Sequence, residues 1–449
     1  MRRIKFFQMR RIKFFPMRRI KFLLIASVAL SQSAAAQGLL DQVPATIPGY
    51  DTRFGVPLMA RAERRLRELG IDVDVANLRP AADIGIGYDS NVRGGANAQG
   101  SGFAASSASL GIMKDDRNVT VAGFLNVDDR RYFSAPAQSR TNWSATIGAS
   151  ADLGGGRLSL AASHLALHQD RGDLDSIASD RPIAFQVEHA RASYAYRFNR
   201  LTLTPNAEFT IYRFAATTIG GVPAGQLYRD RQVARAGLAG RYELAPDSGI
   251  IFALGAANTR YQYPQSGQPS RNSTDGIALI GLDSGSFNSG AGDPHAQPWR
   301  YSVLAGVQTR HYAAGGTAAR TAPVVDAQVH WQPTGLTGAS LRVTRAIEDS
   351  AQINHANAVL TRAQLVLEHE YARDLVFQIS GGVQLAEYSA GGTGASYNAG
   401  ARVLWVINDN LRASLSYDLT RWREGVQDST PQDGLRLRNL VLASLRVSP

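Results

Sequence analysis

One feature constrains this chain more than any other: apolar residues alternate with small or polar ones, segment after segment, from Pro80 to the end. Between residues 143 and 153, Trp143, Ala145, Ile147, Ala149, Ala151 and Leu153 alternate with Ser144, Thr146, Gly148, Ser150 and Asp152. Farther on, Leu411, Ala413, Leu415, Tyr417 and Leu419 alternate with Arg412, Ser414, Ser416, Asp418 and Thr420. Successive side chains of a strand point to opposite faces, so each segment carries one apolar face. About eighteen such segments can be marked, each near the 9–11 residues with which a tilted strand crosses a bilayer.

The connections alternate too. Tight turns, such as Gly154-Gly155-Gly156, Asn199-Arg200 and Asn408-Asn410, exchange with long polar loops at 169–182, 215–227, 264–273 and 423–434. Tight turns on the periplasmic side and long loops outside are how a membrane barrel is wired. The expected fold is therefore all-β, a transmembrane antiparallel up-and-down β-barrel of about eighteen strands, with sixteen as the alternative. An even count returns both chain ends to the periplasm. The long connection at 284–298 falls where a tight turn is expected, and a slip of phase at 163–167 predicts a bulge. Trp143, Tyr196, Phe198, Tyr242, Trp299, Tyr301, Trp331, Tyr371, Trp405, Tyr417 and Trp422 stand mostly near strand ends, the level of interfacial girdles.

The N-terminus consists of three near-copies of one octet, MRRIKFFQ, MRRIKFFP and MRRIKFLL, followed by an apolar stretch at 22–30 and Ala34-Ala35-Ala36. A basic region, a short apolar core and small residues before a cleavage site are the parts of a secretory signal peptide, assigned to 1–36. Removing its nine basic residues from the total of 48 leaves 39 against 37 acidic ones, so the formal charge falls from +11 to +2. The basic excess thus belongs to targeting, and nucleic acid is excluded as a partner. Residues 37–79 read as a periplasmic N-terminal segment with a short helix at 58–70, and 80–449 as the barrel. The chain has no cysteine, which excludes thiol chemistry and cysteine-held metals.

With apolar faces outward, the inward set includes Arg235, Arg241, Arg300, Arg342, Arg362, Arg402 and Arg412, with Glu208, Asp326, Glu368 and Asp418. These are the candidate pore-lining residues, because charge is costly against lipid and ordinary in a wet lumen. Arg300, Arg342, Arg362, Arg402 and Arg412 give one arc of wall a basic character, with Glu208 as the opposing acidic pole. Ile147, Val403, Leu415 and Leu445 fall on the lipid face, where Val403→Arg costs about 2–4 kcal/mol if Val403 lies near the midplane. No catalytic constellation stands out: H-E-x-x-H, G-x-S-x-G and a P-loop are all missing. His164 and His168 lie about 13 Å apart along a strand, too far to share a metal. No catalytic, metal or cofactor residues are assigned. The expected function is a channel, the alternative is a closed barrel that docks an export or surface complex, and an outer-membrane enzyme is a distant third.

Arg79-Pro80, the run Gly85-Ile86-Gly87-Tyr88-Asp89-Ser90-Asn91-Val92, His168-Gln169-Asp170-Arg171-Gly172 and Tyr196-Arg197-Phe198-Asn199-Arg200-Leu201 resemble the outer-membrane porin family called beta-barrel porin 2. The resemblance covers about 78–447 and rests on strand ends and turns. It implies the outer membrane of a Gram-negative bacterium and an association with exopolysaccharide loci. The implied partners are outer-membrane lipid, polysaccharide and export-complex proteins. The chain departs from barrels of this kind, which usually end on an aromatic residue, in closing on Val447-Ser448-Pro449.

Overall fold

A computed structural model describes residues 70–449 apart from 74, 246–247, 266, 285–297, 314–316 and 424–435. The expected signal peptide, all but the last residue of the helix at 58–70, and most of the connections at 284–298 and 423–434 lie outside the described residues. The first strands are β1 (Ile71–Val73), β2 (Ala76–Asp89), β3 (Ser101–Asp115), β4 (Val119–Tyr132), β5 (Arg140–Leu153), β6 (Gly156–Gln169) and β7 (Ile183–Phe198). Next come β8 (Leu201–Phe214) and a small hairpin of β9 (Thr217–Ile219) and β10 (Val222–Ala224). The rest are β11 (Arg231–Ala245), β12 (Ser248–Tyr261), β13 (Ser273–Asp283), β14 (Trp299–Tyr312), β15 (Arg320–Thr334), β16 (Thr337–Asp349), β17 (Asn357–Ala372), β18 (Leu375–Tyr388), β19 (Thr393–Val406), β20 (Leu411–Arg423) and β21 (Arg436–Val447).

Nineteen strands join one antiparallel sheet, and leaving out the three-residue β1 the other eighteen close into a barrel. Each pairs with the next in sequence, β8 pairs β11 past the small hairpin, and β21 returns to β2. Closure satisfies the backbone of every wall strand, the condition for standing in lipid without an edge. The tight-turn end is the periplasmic one. On that rim Phe198, Tyr242, Trp299, Trp331, Tyr371 and Trp405 are exposed on the outer face, with Trp299 and Trp331 stacked at 5.3 Å.

Each of the eighteen expected segments overlaps one wall strand, but the strands are longer, from 11 to 16 residues. Beyond the bilayer a strand needs only a paired neighbour, not an apolar face. Asp129 and Arg130, which look like loop residues, stay in register with both β3 and β5, and Arg131 with β3. At the start, β2 begins at Ala76, so the wall opens before Pro80. No bulge occurs at 163–167: β6 keeps unbroken register with β5 and β7. Leu165 and Leu167 face inward there, Leu167 in an internal apolar cluster and Leu165 packed against it. Trp422 is likewise no girdle residue, being 2% exposed and tucked inside the wall under Gly94 and Gly172.

Ile147 is 63% exposed and central on β5, on the lipid face as expected. Val403 shares that face but stands two residues from the girdle residue Trp405, not at the midplane. Ile147→Arg should therefore destabilise the folded barrel by about 2–4 kcal/mol, and Val403→Arg by about 1 kcal/mol. Arg402→Gln, one residue from Val403 and facing the other way, should leave stability unchanged. Urea titration in detergent or lipid would check all three, and equal effects at 147 and 403 would contradict this depth assignment.

Candidate permeation path

The alternation that puts Ile147 outside puts charge inside. Glu208 on β8, Arg235 and Arg241 on β11, Arg300 on β14, Asp326 on β15, Arg342 on β16, Arg362 and Glu368 on β17, Arg402 on β19, and Arg412 and Asp418 on β20 all take the parity opposite to the lipid-facing residues. The inner surface uses these charges unevenly. Arg241 Nε donates to Asp283 at 2.8 Å, Arg362 is buried in a two-point pair with Glu348, and Glu368 accepts a 2.8 Å bond from Gln378 Nε2. Arg402 is exposed, so its guanidinium faces the water of the lumen.

The expected acidic pole is not a pole. Glu208 sits in register directly between Arg191 on β7 and Arg235 on β11, so its charge falls between two cations. An isolated buried carboxylate would be strongly disfavoured there, and the flanking arginines offset that cost. Glu208 is thus balanced on its own arc, and the arc opposite carries Asp326, Glu368 and Asp418 among its arginines. Farther out runs a charge chain that the sequence reading missed: Asp275 accepts from Arg310 Nε at 2.6 Å, Asp349 from Arg310 Nη1 at 2.9 Å, and Arg231 Nε stands 2.9 Å from Asp349. These residues lie at the outer ends of β11, β13, β14 and β16, where alternation alone does not separate strand from loop.

The largest departure from expectation is the loop at 170–182. It turns inward and crosses the lumen from β6 and β7 to the opposite side, where buried Leu174 packs on Ala358, Leu360, Ala386 and Tyr388 of β17 and β18. There Asp175 accepts a bond from the Ser350 hydroxyl at 2.8 Å and from the Ala351 N–H at 2.6 Å, and Gln352 Nε2 donates to the Ser176 carbonyl at 2.8 Å. Asp175 takes φ 60, a left-handed conformation that Asp tolerates better than most residues.

The near side is fastened as well. Arg140 Nη2 donates to Asp170 at 2.7 Å, and the N–H groups of Gly220 and Gly221 in the β9–β10 turn donate to the Asp180 carboxylate. Arg229 lies 4.0 Å over the Phe214 ring and donates to Gln169, while the Tyr228 hydroxyl donates to the Ala351 carbonyl at 2.8 Å. Ile177 of the strap packs on Leu167, Ile183, Phe185, Val187, Tyr212, Phe214 and Val233, an apolar floor beneath it.

Burial sets the charge state of this strap. It raises the Asp175 carboxyl from 3.8 to about 6, against the pull of the Ala351 and Ser350 bonds. Burial and the charge of Asp170 push Asp173 well above the usual range. Burial works against ionised Asp170 too, but Arg140 and Arg438 outweigh it and hold that carboxyl low. A polar 13-residue loop with Leu174 and Ile177 in it was the available signal, since a loop exposed to water has no use for two such residues.

No curated protein matches the chain. Among solved structures it is similar to the FrpB iron transporter of Neisseria meningitidis (F5-1 variant), with 12% identity, TM-score 0.44, 82% of this chain and 65% of that one covered. It is also similar to OpdK of Pseudomonas aeruginosa, solved with vanillate (10% identity, TM-score 0.43, 83% and 99% covered), and to OpdO of the same organism (12%, 0.43, 84% and 98%). These likenesses extend to the barrel fold alone. A family model described as "Putative beta-barrel porin 2" matches residues 69–441, and the chain belongs to that family, an outer-membrane porin-type barrel.

Proposed function

We propose that the protein is a channel in the outer membrane of a Gram-negative bacterium, exported by its 1–36 signal segment, that passes anionic solutes, acidic saccharide chains among them. One observation carries this reading: on the inner face of β14 to β20 Arg300, Arg342, Arg402 and Arg412 stand with Asp326, Glu368 and Asp418, four basic groups to three acidic, while the facing acid, Glu208, is offset by Arg191 and Arg235. A net basic patch in a water-filled constriction enriches anions locally and repels cations. The strap crosses the outer half of the lumen, an obstacle to folded passengers more than to extended chains or small solutes. An association with exopolysaccharide export fits that limit.

The test is a planar bilayer under a salt gradient with the refolded barrel. The expected reversal potential lies on the anion side and moves toward cation selectivity in the double variant Arg342→Glu, Arg402→Glu. Selectivity unmoved by that change would exclude these arginines from the path. The fastening of the strap at both ends favours a second reading, a silent barrel that docks an export complex, and the absence of any conductance would support it.

A further inference from the structure

Outside the strap, the outer ends of the wall and five surface loops line a cavity of about 520 Å³. Its volume lies within the roughly 300–1,000 Å³ usual for small-ligand sites. Its described lining contains no carboxylate and only one large aliphatic side chain, Ile353. Tyrosines, side-chain amides and two arginines take their place, among them Tyr261, Tyr263, Gln268, Asn357, Arg271 and Arg320.

The Tyr263 ring is 51% exposed at this cavity. The Arg271 guanidinium lies 4.8 Å from the Tyr261 ring, and its Nη2 donates to the Ser350 and Ala356 carbonyls. Its Nε and Nη1 are buried without a hydrogen-bond partner among the described residues. Arg320 Nη1 donates to Asn357 Oδ1 at 3.0 Å, which aims the guanidinium of Arg320 along the cavity wall. A buried guanidinium with unmatched donors is costly, and an acceptor brought by a ligand would relieve that cost.

We propose that this cavity binds a short acidic oligosaccharide from the external side. A pyranose ring has an apolar C–H face that suits an aromatic ring, a rim of hydroxyls that suits amides, and in a uronic acid a carboxylate that suits the fork of an arginine. Tyr263 supplies the ring surface, Gln265 and Gln268 supply amides, and Arg271 with Arg320 meet the carboxylates. With no acid in the lining, nothing repels an anionic sugar. The inference shares the external orientation of the proposed channel but does not depend on conduction.

The experiment is isothermal titration of the purified, folded barrel in detergent with trigalacturonate, with maltotriose as the neutral probe. Trigalacturonate should bind about tenfold more tightly than maltotriose, a difference set by the charge-assisted contacts. Tyr263→Ala and Arg320→Gln should each weaken it by about tenfold, and Arg117→Gln in the β3–β4 turn on the opposite rim should leave it unchanged. Tyr263 lies in an exposed loop, so that variant separates lost binding from lost folding. No binding of trigalacturonate, equal binding of maltotriose, or full binding by Tyr263→Ala would overturn the proposal. Conductance recorded on the same preparation keeps the two readings apart: a silent barrel that binds sugar refutes the channel and leaves this site standing.

Discussion

Excising residues 172–179 and bridging the gap with two glycines should raise single-channel conductance on the order of fivefold. An eighteen-strand barrel encloses more space than its wall side chains can fill, so what obstructs it decides the current. Among the described residues the strap crosses the lumen and is tied at the far side through Leu174, Asp175 and Ser176, with Tyr228 reaching Ala351 beside it. Removing Leu174 uncovers Leu360 beneath it, a cost of about 2 kcal/mol, and leaves the wall pairing intact. The excised barrel should therefore remain folded while conducting more. An unchanged conductance would mean that the solute path avoids the strap.

Lowering the pH should close the channel, with the midpoint near 6. Docked, the Asp175 carboxyl is raised to about 6, whereas in an undocked, hydrated loop it returns to about 3.8. The docked state therefore holds the proton more tightly, and docking is at full strength at low pH. As pH rises through about 6 the buried group ionises and docking weakens, by about 3 kcal/mol at neutral pH, a shift of about a hundredfold in the docked to undocked ratio. Asp173, also raised, acts in the same direction. Asp170, held low beside Arg140 and Arg438, acts in the opposite direction and only in more acidic solution. Arg229 and Tyr388 face Asp175 as well, and Arg229, lowered by burial to about 10, stays charged throughout this window. Conductance should rise between pH 5 and pH 7 in the native protein and rise less in Asp175→Asn, where Asp173 alone still acts in that direction. A fall over the same range would reverse the assigned sign.

The wall was legible because its information is local. Trp143 to Leu153 declares both faces of β5 within eleven residues, and every candidate lumen residue from Glu208 to Asp418 stands on the face its parity requires. What the sequence hid is set by distant partners. Asp175 is bonded to residues 175 and 176 positions away, and no pattern within 170–182 names Ser350 or Ala351. Glu208 looked like an isolated acid because Arg191 and Arg235 flank it only through the pairing of three strands. Trp422 has the position of a girdle residue and the parity of an inner one, and parity prevailed because a loop glycine lies over it.

The seam between the first and last strands has its own consequence, in the order of assembly. Only eight residue pairs, from Ala82–Val447 to Asp89–Leu440, hold β2 to β21, against twelve between β20 and β21. Two ion pairs clasp that seam from inside: Arg438 Nε bonds both oxygens of the fully buried Asp89, and Arg446 Nη1 reaches Asp83 at 2.8 Å. The partners are 349 and 363 residues apart in the chain. Neighbouring strands can zip by short-range encounters, but this contact closes the longest loop in the molecule. Closing the ring is thus the late, slow event of folding, and the arginines at its end are what keep a nearly complete wall from springing open again.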